Sequence, residues 1–249
     1  MESMICNVSI SNVFNEPSHK GELHTQVLFG EIVTVLEKGN EHWIKIQTDN
    51  QEDSGWVLET QYERIAEVPK RILLKNNDLY LRKNQIQIPL FAGSYILHEE
   101  SFTINNHQYW VLKNGFDDFS FDKTTFVKSF LYAPYVWGGL TISGIDCSGL
   151  SKAYYKQFGV YLPHLASKQI EIGEVVDFLQ GTKLGDLAFF IDKDNEINHV
   201  GILISPTEIL HSSSSNGGVD IDFIDQEGII NRKTRKRTHS LRVVKRIIL

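Results

Sequence analysis

Apolar and polar residues alternate with a period of two in "EIVTVLEK" and "HWIKIQT", and the polar turn "GNE" separates them, which predicts a hairpin. Upstream lies "EPSHKGELHTQVLFGE", and downstream "DSGWV" brings a Gly-Trp into a last short strand. Short strands joined by polar turns predict a small β-barrel over residues 1–65. The pattern then recurs. "PLFAGSYILHEE" echoes "VLFGEIVTVLEK", and "QYWVLKN" echoes "HWIKIQT", so that Phe29 and Phe91, Leu36 and Leu97, Trp43 and Trp110 fall in the same order. The recurrence predicts a second barrel over residues 66–121.

From Asp122 the period changes. "DKTTFVKSFLYAPYVWGG" starts as a helix with Asp122 as its cap. After Cys147 the apolar positions Leu150, Tyr154 and Phe158 follow helical spacing, with Asp146 placed as N-cap and Gly159 as the stop. "GDLAFFI" and "HVGILI" then predict buried strands, with "EILHSS" as their partner. A helix followed by a sheet makes residues 122–249 an α+β unit.

Composition narrows the function. The 249 residues are 41% hydrophobic and 22% charged, and no apolar run approaches the roughly 18 residues of a membrane span, so no membrane partner is expected. "MESMICNVSISNVFNEPSHK" lacks a basic segment followed by an apolar one, and the two cysteines, Cys6 and Cys147, are too few for a disulfide framework. A cytoplasmic location is the expectation. The net charge of -6 argues against nucleic acid as a partner, although "NRKTRKRTHSLRVVKRIIL" carries cations without an acid. Its "LRVVKRII" alternates like a strand, and the preceding cations are expected on a solvated loop, with an anion-facing patch as the alternative.

The candidate chemistry centres on Cys147. If Asp146 caps the helix, the thiol sits in the first turn, where unpaired N–H groups and the positive dipole end favour a thiolate. A nucleophile also needs a base and an orienter. His199 and His211 lie on consecutive predicted strands, and pairing Leu203 with Ile209 leaves five loop residues and sets the two histidines diagonally on one face. His164, His239 and the histidines of the barrels stand near turns or in polar runs and are expected on the solvated surface. A zinc site from Cys147, His199 and His211 ranks below catalysis, because a lone cysteine without a nearby second ligand is a poor zinc signature.

"YVWGG", "GIDCSGL", "GDLAFF" and "NHVGILI" followed by "ILHSS" resemble, in order, the signature segments of the NlpC-type cysteine peptidases, papain-like bacterial enzymes that cleave cell-wall peptides. The preceding blocks are similar to the bacterial SH3 domains of the γ-D-glutamyl-L-diamino-acid endopeptidase branch. The resemblance implies a papain-like domain with Cys147 as nucleophile, His199 as base and His211 as orienter, and puts Tyr135 on the oxyanion side. It also implies that Asp146 and Ser148 contact the free amine of the substrate's L-alanine. Two departures stand out: His164 replaces the family's arginine in "PHLASKQ", and the tyrosine often found before Gly-Trp in the first barrel is replaced within "EDSGW".

The resulting expectation is a cysteine endopeptidase acting on short murein peptides in cell-wall recycling, without metal or organic cofactor, as a monomer. The alternatives are a secreted hydrolase of polymeric peptidoglycan and a wall-binding module with a silent catalytic domain.

Overall fold

The alternating segments pair as strands, but not always on the face their pattern suggests. The structure is a computed structural model describing residues 2–77, 79–112 and 121–248. It divides into two compact units, Met1–Asp122 and Lys123–Leu249. Residues 113–120, which close the expected second barrel, lie outside the described residues.

In the first unit the expected hairpin is Ile32–Lys38 with Trp43–Thr48, part of a seven-stranded antiparallel sheet that also holds the Ser54–Leu58 strand. Cys6, Val13, Val27, Val33, Ile44, Ile46 and Val57 fill its core. The second block forms a four-stranded sheet from Leu79–Lys83, Ile86–Leu90, Ser101–Ile104 and His107–Leu112. Its core is shared: Ile5, Phe29 and Ile32 of the first block pack with Leu74, Leu79, Leu81 and Tyr109. Of the residue pairs that suggested the repeat, Phe29 and Phe91 are both buried, but Leu36 is 51% exposed at a register shift between Val35 and Glu37. Trp43 and Trp110 do not correspond either. Trp43 is buried whereas Trp110 is 38% exposed and Tyr109 takes the core position, because a slip of one residue reverses the face of a strand.

The second unit starts with helix α1, Lys123–Phe130, directly after Asp122. Helix α2, Cys147–Lys156, follows, and the chain leaves it at Gly159, whose N–H bonds to Lys156 O at 3.0 Å while Val160 N–H reaches Tyr155 O at 3.1 Å. A short helix α3 spans Ala166–Gln169. The sheet contains Leu187–Ile191, Ile197–Ser205, Glu208–Ser213, Gly218–Asp225, Gly228–Ile230 and Arg237–Arg246 in that order, and pairing of the last two closes it on itself. The two-residue strand Glu174–Val175 flanks the last long strand. Ala188, Phe190, Leu203, Ile209 and Ile224 pack together in its interior, each contributing on the order of 1–3 kcal/mol of burial.

The last strand begins earlier than its apolar alternation indicates, at Arg237, so His239 lies within the sheet. Four of the eight cations of the basic tail are paired with acids. Arg232 pairs with Glu208, Lys233 with Asp220, Arg237 with Asp225 and Glu227, and Arg246 with Asp186. Among the described residues no helix is long and apolar enough to cross a membrane.

Candidate active site

Asp146 caps α2 from an extended conformation, φ −98° and ψ −176°. Its Oδ1 accepts Gly149 N–H at 2.6 Å and the Ser148 hydroxyl at 3.1 Å, and its Oδ2 accepts Gly138 N–H at 2.7 Å. One carboxylate therefore ties the glycine turn to the first turn of the helix and holds Cys147 between them. Asp146 is 1% and Ser148 5% exposed, and neither lines the pocket on which Cys147 opens. Their side chains are directed to each other and to backbone.

The helix end does not depress the thiol. Burial, with the neighbouring Asp146 charge adding to it, pushes Cys147 up to about 12, although backbone N–H groups of Val200, Ser148 and Cys147 itself favour the thiolate. A helix terminus contributes at most about 2 kcal/mol, whereas full burial shifts a titrating group by up to roughly 3–5 pKa units. Cys147 is therefore a thiol at rest, and a reaction at its sulfur would need a base to take the proton.

The sheet places a candidate for that base, His199, on the same pocket as Cys147. Leu203 pairs with Ile209 as the spacing predicts, and the hairpin closes one step further, at Ser205 and Glu208, through a register shift. His199 and His211 then meet diagonally, with His199 Nε2 2.9 Å from His211 Nδ1. Gly201 makes this possible: a Cβ there would stand 2.6 Å from Ile209 Cδ1 and 3.0 Å from His211 Cβ. With Nε2 engaged by His211, Nδ1 is the other ring nitrogen of His199. Burial, followed by the neighbouring imidazoles, holds His199 well below the ordinary histidine value, so at neutral pH it is an uncharged base.

The line continues to a residue that the sequence reading passed over. His211 Nε2 lies 3.1 Å from Asp222 Oδ2, with both side chains 1% exposed. Asp222 also accepts Asn216 Nδ2 at 3.0 Å and the Arg232 backbone N–H at 2.8 Å. These hydrogen bonds overcome its burial and hold it down at about 2, as a carboxylate. The alternation in "GVDIDFID" was the available signal, since it sets Asp220 and Asp222 on one face of the strand beside His211.

Cys147 and His199 open on a pocket of about 380 Å³ lined also by Tyr135, Asn198, Ser213, Thr238 and His239. Tyr135 is placed by bridges that tie its segment to Gly218 and Ile145. Burial, then the Cys147 and Asp146 charges, raise its phenol to about 12, so it remains an O–H donor in the lining of the pocket. Of two histidines expected on the solvated surface, His164 is buried and His239 is half-buried. His164 is 5% exposed, and His239 stacks on His199 with ring centroids 4.1 Å apart and planes at 22°, because the strand carrying it pairs through Ile229 to the sheet.

The ligand atoms of His199, His211 and His239 lie within 4.8 Å of one another, so this trio, not one containing Cys147, is where a metal ion could be sought. The fit is poor. Stacked rings hold their nitrogen lone pairs in nearly parallel planes, which cannot both contain one ion, and both nitrogens of His211 already face His199 and Asp222.

A buried cysteine at a helix N-terminus, beside a histidine line on an antiparallel sheet, matches a known arrangement. Residues 132–238 match the NlpC/P60 family, and residues 13–61 match the bacterial dipeptidyl-peptidase Sh3 domain. The chain carries an NlpC/P60 cysteine peptidase domain. It is 26% identical to a γ-D-glutamyl-L-lysine dipeptidyl-peptidase of Bacillus cereus over 89% of this chain and 77% of that protein. A protein of the same name from Bacillus subtilis is also 26% identical, over 80% of this chain and 75% of its own. The crystal structure of an NlpC/P60 family protein from Bacillus cereus superimposes with a TM-score of 0.77, covering 98% of this chain and 99% of that one at 19% identity. The papain-like α+β fold and the SH3-type domain that precedes it in the chain thus agree with the resemblance seen in the sequence.

Proposed function

We propose that the protein is a γ-D-glutamyl-L-diamino-acid endopeptidase that releases a dipeptide from murein peptides with a free N-terminal L-alanine. The observation that carries the reading is the contact between His199 and His211 above the Cys147 pocket, which supplies an uncharged base with its far nitrogen already oriented. The names of the two Bacillus relatives support the bond and the dipeptide product.

In this mechanism His199 Nδ1 takes the thiol proton as Cys147 Sγ attacks the γ-carbonyl carbon of D-glutamate. Tyr135 and the backbone N–H of Cys147 stabilise the oxyanion. Collapse breaks the C–N bond, the diamino acid leaves with the proton from His199, and a thioester remains on Sγ. Water attacks that thioester, His199 accepts one water proton and passes it to the sulfur as the C–S bond breaks, and the dipeptide leaves as a carboxylic acid whose remaining proton goes to solvent. The part of the reading that concerns the free amine draws on the dipeptidyl-peptidase names, since Asp146 and Ser148 are turned to neighbouring groups.

Incubation of L-Ala-γ-D-Glu-L-Lys and of its N-acetylated form with the protein, followed by mass spectrometry, tests this. L-Ala-D-Glu is the expected product from the free peptide alone. Equal rates on both peptides would remove the amine requirement and favour a hydrolase of polymeric wall, and cleavage at another bond would remove the assigned specificity.

A further inference from the structure

We infer that Asp222 is a positioning residue that sets the tautomers of both histidines, and thereby decides whether His199 can act as a base. The inference rests on His199 serving Cys147 and does not depend on the substrate's identity.

The geometry determines the direction of every proton in the line. An ionised carboxylate only accepts hydrogen bonds, so the 3.1 Å contact with Asp222 Oδ2 requires the proton of His211 to sit on Nε2. His211 Nδ1 then carries a lone pair, and the 2.9 Å contact requires His199 Nε2 to donate to it. In a neutral imidazole that leaves His199 Nδ1 unprotonated. Reversing the first step reverses the last, and His199 would then present an N–H to the thiol.

Asp222 is built for this one task. Asn231 Nδ2 approaches its Oδ2 at 3.4 Å and itself donates to Asn216 Oδ1 at 2.9 Å, so two amides and the Arg232 N–H surround a carboxylate that is 1% exposed. All of these partners donate, which keeps the group an acceptor. His199, His211 and Asp222 occupy three adjacent strands of the closed sheet, each displaced diagonally from the last, so the line steps obliquely from strand to strand along the hydrogen-bonding direction, where the ladder holds each backbone in register.

The arrangement makes an unusual forecast, that a change farther from the sulfur does more harm than a nearer one. In Asp222→Asn the new amide can donate to His211 Nε2 and invert the line, with an expected fall of about 10²- to 10⁴-fold in kcat at little change in KM. In His211→Asn the side-chain oxygen can still accept from His199 Nε2, and the loss is smaller. Adding Asp222→Asn to His211→Asn should cost less than threefold further, because the residue through which Asp222 acts is gone. An equal loss from Asp222→Asn in both backgrounds would mean that it acts on the fold alone and would overturn the inference.

Nitrogen-15 NMR of the histidines in the unmodified protein decides the point even if a variant fails to fold. The expected spectrum shows His211 protonated at Nε2 and bare at Nδ1, and His199 protonated at Nε2. A His211 protonated at Nδ1, alone or at both nitrogens, would overturn the inference while leaving Cys147 and His199 as the reacting pair.

Discussion

Cys6 and Cys147 are the same residue under nearly the same burial, and burial pushes both thiols up to about 12. Cys6 sits among Val13, Val27, Ile44 and Val57 in the first unit, with its sulfur 3.5 Å from Val8 O and 3.9 Å from Val27 O. Cys147 sits at the start of α2 and shares a pocket with His199. What separates the two thiols is the histidine that shares a pocket with one of them, and not their intrinsic acidity.

The polar groups buried in the two units make the same contrast. In the first, Tyr62 Oη donates to Ser11 Oγ at 2.9 Å, and Ser11 Oγ donates to Gln61 Oε1 at 2.7 Å. That short line satisfies buried groups and fixes a core. In the second, His199, His211 and Asp222 form a line of similar length that ends at a histidine lining the same pocket as Cys147.

The largest effect that can break the comparison is at Cys147 and its base. Cys147→Ala should lower kcat by on the order of 10⁴-fold or more, with an unchanged circular dichroism spectrum, and His199→Ala should fall close to it, by at least about 10²-fold. Turnover retained in the alanine variant would end the assignment of the nucleophile. A smaller effect sharpens it: His211→Asn should lose about 1.5–3 kcal/mol of transition-state stabilisation, one to two orders of magnitude in kcat/KM, since one strong hydrogen bond to the base is weakened. Complete loss there would mean that His211 does more than orient. The smallest effect on catalysis belongs to the other cysteine. Cys6→Ser places a hydroxyl in an aliphatic core and should lower stability by about 1–3 kcal/mol in a urea titration while leaving kcat unchanged.

Much of this site was legible because its parts follow local rules. Asp146 before a helical repeat is a cap, and the Leu203 to Ile209 register follows from strand period and loop length. Asp222 and His239 were not found for two different reasons. Asp222 lies on a strand whose alternation is legible, but nothing local marks it as a partner of His211, because that contact depends on the pairing of two strands. His239 lies in "TRKRTHS", which lacks apolar alternation, and only pairing with Gly228–Ile230 draws that segment into the sheet. Local pattern likewise could not show that Phe29 serves the second block's core, or that Tyr109 rather than Trp110 faces inward. The thiol's acidity depended on how deeply the helix end is buried, which no spacing encodes.

The most direct test is the rate of carboxamidomethylation of the two cysteines by iodoacetamide as a function of pH, followed by peptide mass spectrometry beside residual activity. Burial keeps His199 uncharged to well below 6.5, so base-assisted reaction at Cys147 should persist as the pH is lowered through 6.5 and fail only when His199 takes up a proton below it. Activity should disappear in one-to-one proportion with Cys147 modification, with Cys6 unmodified. A Cys147 rate that simply tracks hydroxide concentration across that range, as an unassisted thiol near 12 would, or full activity after Cys147 is alkylated, would contradict the account.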